Sequence, residues 1–229
     1  MATQIRDGYL LPQVWVTKNA TKVLEILGRL TPARVEYAEN IFGGERYLSK
    51  NAEKKRDYSI LTMIISEGEG STRKYIKYNF NPQNFTALQR ECEPCVNYHR
   101  SYERQFTKMD FRDGNVVIRK ATIRYEYYMK DRNGKVKKDS NGKDIVSQYP
   151  WFIGLSEETG KADTEKKTII GEKKKVQSYI NITSDDYQCM VDNTCRYIDV
   201  YAMAFGPALL RKKLEIMQQR REEYLRSQK

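Results

Sequence analysis

Two short stretches of the chain carry the same chemistry at alternate positions: Arg73, Tyr75, Lys77 and Asn79 in the first, Lys175, Gln177, Tyr179 and Asn181 in the second. Alternate residues of a β-strand point to one side, so each stretch, as a strand, displays a cation, a tyrosine and an asparagine on a single face. Cations neutralise phosphates, tyrosine rings stack on unpaired bases, and amides hydrogen-bond base edges. The intervening residues, Ile76, Tyr78 and Phe80 or Ser178, Ile180 and Ile182, then belong to a core. A third such region surrounds residues 116–129, where Arg119, Lys120, Arg124, Tyr125, Tyr127, Tyr128 and Lys130 crowd together. Tyr149 and Trp151, near the start of the next strand, extend the platform. Aromatic stacking is worth about 1–3 kcal/mol per base, and phosphate contacts add an attraction that salt weakens. The competing placement puts Ile123, Tyr125, Tyr127 and Trp151 in the core and leaves the cations solvated. The expected nucleic-acid-binding set is Arg73, Tyr75, Lys77, Asn79, Arg119, Lys120, Arg124, Tyr125, Tyr127, Tyr149, Trp151, Lys175, Tyr179 and Asn181.

Other chemistries have less to build on. Cys92-Glu93-Pro94-Cys95 followed by His99 has the spacing of three zinc ligands, but a fourth is missing, and Cys92 and Cys189 fall on apolar helix faces that favour packing. His99 is the one histidine of the chain, which leaves a Ser-His or Cys-His nucleophile a single base. Asp185-Asp186 opens a helix, where the dipole favours carboxylates. The glycine-rich run at residues 67–72 lacks the lysine of a phosphate-binding loop. The expectation is a protein that is not an enzyme, with no catalytic residue, metal or cofactor. Charged loops at residues 135–143 and 172–175 read first as solvated, with clamping of a strand as the alternative.

These residues need elements to position them. Residues 58–66 and 73–80 read as a β-hairpin, and Asn81-Pro82 opens a helix with Phe85, Leu88 and Cys92 on its apolar side, bent or ended by Pro94. A second block of strands covers residues 116–129, 148–155, 168–171 and 176–182, with charged loops at 130–143 and 156–167 between them. Ser184 caps a helix that Gly206-Pro207 breaks, and a last basic helix occupies most of 208–226, its apolar spacing suited to docking or to forming a homo-oligomer. At the other end, Thr17 caps a helix to Leu30, Thr31-Pro32 opens a second that stops before Gly43-Gly44, and residues 49–57 connect to the first strand. The segments 76–96 and 178–198 superimpose without a gap, Phe85 on Tyr187, Leu88 on Met190, Phe80 on Ile182. The fold class is α+β: antiparallel sheets each followed by a helix, as in an internal duplication, with an N-terminal helical pair and a long C-terminal helix. The expected organisation is a helical lead-in at 1–57, a two-unit core at 58–205 and a basic helix at 206–229.

Sheet-then-helix units, repeated, with basic and aromatic residues on the open side of the sheet, resemble the Whirly and Pur-type single-stranded nucleic-acid-binding superfamily. That resemblance covers residues 58–205 and implies units of four antiparallel strands and a helix, with a sheet surface that grips single strands. A formal net charge of +11 over 229 residues suits a polyanionic partner. With 39% hydrophobic and 11% aromatic residues the chain has the material for a core. No stretch approaches the roughly 18 apolar residues of a membrane span, Met1 to Tyr9 lack a signal-peptide core, and four cysteines are too few for a disulfide scaffold; a cytoplasmic location is expected. The function expected is binding of single-stranded DNA, or RNA, in replication, recombination or repair, with a phage or mobile-element source. The alternative is a protein-interaction module: an assembly factor, a virion component or an inhibitor of a nucleic-acid enzyme.

Overall fold

Asn19 reverses the chain inside the segment expected to be the first helix. Its Oδ1 accepts hydrogen bonds from the backbone N–H groups of Thr21, at 3.1 Å, and Lys22, at 2.8 Å, an Asx turn. Strands β1 (Gln13–Lys18) and β2 (Lys22–Arg29) pair antiparallel on either side of it. The helix expected from Thr17 to Leu30 is therefore a hairpin. Leu24 and Ile26 face one side of the sheet and Leu27 the other, and all three are buried. A strand buried on both faces shows no apolar–polar alternation, so its run of apolar residues also satisfies helical spacing. The computed structural model describes residues 12–31, 59–68, 73–112, 115–163 and 168–227. The second expected helix, at 32–43, and the connector at 49–57 lie outside the described residues.

Strands β3 (Ile60–Glu67) and β4 (Lys74–Phe80) complete a four-stranded antiparallel sheet in the order β1-β2-β3-β4, and helix α1 (Pro82–Tyr98) follows. Proline suits the first helical turn because its absent N–H would have no partner there, and the Asn84 side chain accepts the N–H of Asn81 at 3.0 Å. Pro94 does not end this helix, which runs on to a left-handed His99. The second half repeats the plan. Strands β5 (Tyr102–Arg112), β6 (Asn115–Tyr125), β7 (Trp151–Asp163) and β8 (Thr168–Ile182) form the second sheet in that order, and helix α2 (Ser184–Ser227) follows. Each half is thus four antiparallel strands and a helix. The strands β4 and β8 end at Phe80 and Ile182, and the helices open at Pro82 and Ser184, the register that places Phe85 on Tyr187. Both halves bury the same positions: Phe85 and Tyr187, Leu88 and Met190, Tyr78 and Ile180.

Several expected boundaries move. The first sheet begins at residue 13 instead of 58, so β1 and β2 belong with the two-unit core. Strand β5, mostly polar and at a sheet edge, has no counterpart among the expected elements. The strand at 116–129 stops at Tyr125, while β7 and β8 run through the expected charged loop, because a paired backbone holds its hydrogen bonds whatever the side chains carry. Gly206-Pro207 does not break α2, whose last turns continue the same helix instead of forming a separate one; a proline removes one intrahelical bond, which a long helix can sustain.

One core joins the inner faces of both sheets to both helices. Phe80 of β4 meets Phe106 of β5 edge-on, with ring centroids 5.1 Å apart. Trp151 lies flat on Tyr187, at 3.5 Å and 4° between planes, and Tyr125 packs beside it at 4.8 Å. The Tyr187 hydroxyl is 3.1 Å from Cys92 Sγ, tying α2 to α1. Tyr197 of α2 presses so closely on β2 that a Cβ at Gly28 would stand 2.4 Å from its ring, and any larger residue there would require the ring to shift.

Burial pushes the Cys92 thiol up to about 12 and the Cys195 thiol up to about 11. Unfolded thiols titrate near about 8.5, so the unfolded chain loses these protons first and stability falls as pH rises. Denaturation midpoints should hold constant between about pH 6 and 8 and decline above about pH 9. The loss is at most about 1.4 kcal/mol per pH unit for Cys92, and smaller for Cys195, whose charge solvent partly screens. Cys92→Ala should make that decline shallower, and an equally steep decline in the variant would show that this thiol is not responsible.

Candidate nucleic-acid interface

The outward faces of the two sheets differ in access. On the first sheet, the outward residues of β3 (Ile60, Thr62, Ile64 and Ser66) are all buried. Tyr75 stays half exposed at the β4 edge. Asn79 accepts a hydrogen bond from Thr62 Oγ1 at 2.9 Å, and Arg73 donates to Ser66 Oγ at 2.6 Å. Lys77 is half-buried in the same row as Ile64. This face is largely closed.

The outward face of the second sheet is open over its middle rows, while at its far end Val116 and Ile118 of β6 are buried with Ile169 in a second apolar cluster. Register places Gln105, Thr122, Gly154 and Tyr179 in one row across the four strands, with Lys120, Ser156 and Gln177 in the next and Arg124, Phe152 and Asn181 on the other side. All of these but Arg124 and Asn181 line a shallow groove of ≈ 380 Å³ that reaches Lys175 and Glu158. A Cβ on Gly154 would fall 2.7 Å from Phe152 Cε1, so the glycine is what lets the Phe152 ring lie across the sheet. There it meets Tyr179, with centroids 5.4 Å apart and planes 23° from parallel. Cations flank the pair: the Arg124 guanidinium stands 4.8 Å above the Phe152 ring and Lys22 Nζ 4.4 Å above Tyr179. Lys22 also donates to the Tyr179 carbonyl at 3.0 Å. The result is a ladder, Arg124–Phe152–Tyr179–Lys22, whose Tyr179 is 52% exposed.

Carboxylates share this face. Glu103 stands opposite Arg124 and Glu158 opposite Lys175 in the strand register. The groove is therefore mixed in charge, and ligand recognition here must draw on stacking and on the hydroxyl and amide groups of Thr122, Ser156 and Gln177 as well as on cations.

The expected site residues divide accordingly. Lys120, Arg124, Lys175, Tyr179 and Asn181 share the open face. Arg73, Tyr75, Lys77 and Asn79 lie on the other sheet, so Tyr75 and Tyr179 do not form one surface across a single sheet. Tyr125 and Trp151 are core residues, 1% and 0% exposed, because the inner face of β6 and β7 is where the sheet meets Tyr187. Arg119 points to the side of Lys108 and Glu157, away from the groove, and is held by Asp110 and Glu157 at 2.6 Å each. Tyr127 stacks on His99 at 3.7 Å, and Tyr149 is exposed in the loop before β7. Phe152, Gln105, Thr122 and Gln177 line the groove and Lys22 stands over Tyr179, and the expected set lacks all five. For Phe152 the signal is alternation: if Trp151 points in, Phe152 points out.

Between β6 and β7 the chain forms an arm instead of a plain loop. Residues 130–137 and 138–145 repeat Lys-Asp-x-Asn-Gly-Lys, and both copies make the same turn. Asp131 Oδ1 accepts the N–H groups of Asn133 and Lys135 at 2.8 and 2.9 Å, and Asp139 Oδ1 those of Asn141 and Lys143 at 2.8 and 2.9 Å. Gly134 and Gly142 supply the left-handed backbone, with φ of 78° and 77°. The N–H of Met129 donates to Ile145, that of Ile145 to Lys137, and that of Lys137 to Met129, at 2.8, 2.9 and 2.8 Å, closing a three-membered backbone ring.

Cys92 and Cys95 pack inside α1, their sulfurs at 3.1 Å from the Tyr187 hydroxyl and the Glu91 carbonyl. The outer part of α2 exposes Leu210, Leu214, Met217 and Tyr224. Among the described residues, no helix is long and apolar enough to cross a membrane. The chain matches no protein-family model and no curated protein.

Proposed function

We propose that this chain is a non-catalytic binder of single-stranded nucleic acid, with DNA the first ligand to test, and that it grips the strand on the open face of its second sheet. The observation that carries the reading is the Arg124–Phe152–Tyr179–Lys22 ladder above a polar groove. Aromatic rings held on a sheet by flanking cations offer stacking to any base, while Lys120 and Lys175 reach for phosphates. Two units of four strands and a helix, the plan implied by the Whirly and Pur-type resemblance, support the same reading, as does the net charge of +11. A role in replication, recombination or repair suits such a ligand.

The test is a titration of labelled single-stranded DNA, duplex DNA and RNA over a range of salt. Single strands should bind more tightly than duplex, with affinity falling as salt rises. Lys120→Ala and Lys175→Ala should each flatten the logarithmic salt slope by about 0.7, one phosphate contact on a single strand. No retention of either single-stranded ligand at low salt would refute the proposal and favour a protein-interaction module.

A further inference from the structure

The arm at residues 128–147 contributes no residue to the main core, yet it is held by a closed ring of backbone hydrogen bonds and two aspartate-locked turns. Order of this kind in a segment that packs little requires an explanation other than folding of the domain. Its charges supply one. Asp131 and Asp139 each commit an oxygen to their own turn amides. Lys130 pairs with Glu126 at 2.8 Å and Lys138 with Asp144 at 3.9 Å. Arg132, Lys135, Lys137 and Lys143 are left without an acidic partner among the described residues.

The ion-paired Lys130 and Lys138 sit at isolated bridges, to Val136 and Asp144, and Tyr128 bridges Val146. Lys135, Lys137 and Lys143 fall between those bridges and are exposed. Because the turns fix the backbone on which Lys135 and Lys143 sit, the repeat presents two cations in equivalent settings, already ordered before any ligand arrives. The arm leaves the sheet beside the Arg124–Phe152 row, at the end of the groove.

We propose that the arm is a phosphate clamp, in which Lys135, Lys137 and Lys143 hold the backbone of the same single strand whose bases stack on Phe152 and Tyr179. This rests on the function proposed above and adds a second point of contact to it. The direct test compares the wild-type chain with Lys135→Ala/Lys137→Ala/Lys143→Ala and with Arg211→Ala/Lys212→Ala/Arg226→Ala, which removes the same charge from the far helix. Binding of an oligothymidylate long enough to span groove and arm is measured against salt, with intrinsic fluorescence quenching as a second readout. The arm variant should bind about 10-fold or more weakly near physiological salt and lose about 2 from the logarithmic slope, three contacts at about 0.7 each, while keeping its quenching at saturation. The helix variant should retain the wild-type slope. Wild-type affinity and slope in the arm variant would overturn the clamp and leave the groove as the binding site, and so would equal flattening in both variants. Competition by polyglutamate that needs the arm lysines, with DNA binding that does not, would also overturn it in favour of an acidic protein partner. Failure of the wild-type chain to bind any single strand would remove both proposals.

Discussion

Trp151→Ala is expected to destabilise the fold by about 3–5 kcal/mol, the range for emptying a large aromatic site in a packed core. Trp151 is fully buried, lies flat on Tyr187 and touches Tyr125, so it joins the second sheet to α2 at the centre of the joint core. A native stability of about 5–15 kcal/mol leaves little margin for such a loss, and chemical denaturation should show a midpoint shifted far down or no cooperative transition. Trp151→Phe is the control. The indole N–H has no hydrogen-bond partner among the described residues, so phenylalanine keeps a stacked ring and removes an unmet donor, and should cost clearly less than Trp151→Ala, the remaining loss being the cavity beside the smaller ring. Comparable losses in both variants would mean that the packing of Trp151 on Tyr187 is not what stabilises this region.

Next in the chain, Phe152 carries the opposite expectation. Phe152→Ala/Tyr179→Ala should leave the fold cooperative but lower affinity for single-stranded DNA by about 10- to 100-fold, within the roughly 1–3 kcal/mol that stacking one base is worth. The salt slope should remain close to wild type, because no phosphate contact is lost, and this separates stacking from charge. Tyr75→Ala, on the outward face of the other sheet, should change affinity by less than about 2-fold, as residues outside the energetic centre of an interface do. Undiminished binding by the double variant, or a larger loss from Tyr75→Ala, would move the interface off the second sheet.

These neighbours show what can be read from sequence. Alternation in residues 73–80 and 175–182 separates Tyr78 and Ile180, which are buried, from Tyr75 and Tyr179, which are exposed, because a strand sends successive side chains to opposite faces whatever its surroundings. The helix starts after Phe80 and Ile182 are legible to within a residue: Pro82 suits a first helical turn, while α2 is capped by Thr183, whose Oγ1 accepts the N–H of Asp186 at 3.1 Å, one residue before the expected Ser184. The turn repeat in the arm is present in the residues as well, in two copies of Asp-x-Asn-Gly-Lys, where self-comparison of the chain finds it.

Tertiary structure decided the rest. Whether Trp151 or Phe152 faces inward depends on which side of β7 meets Tyr187, a partner many residues away. The helix expected at residues 17–30 is a hairpin because both faces of β2 are covered, and an apolar run has no period by which to announce that. Arg119 and Arg124 have the same chemistry in the sequence, yet one is fixed by Asp110 and Glu157 and the other lies over Phe152, since positions an odd number apart on a strand face opposite sides of the sheet. The Lys22–Tyr179 contact joins the first sheet to the second. Local sequence set the direction in which each side chain points, because direction follows from backbone geometry; only the packing of one sheet on the other set what it meets, because that depends on residues distant in the chain.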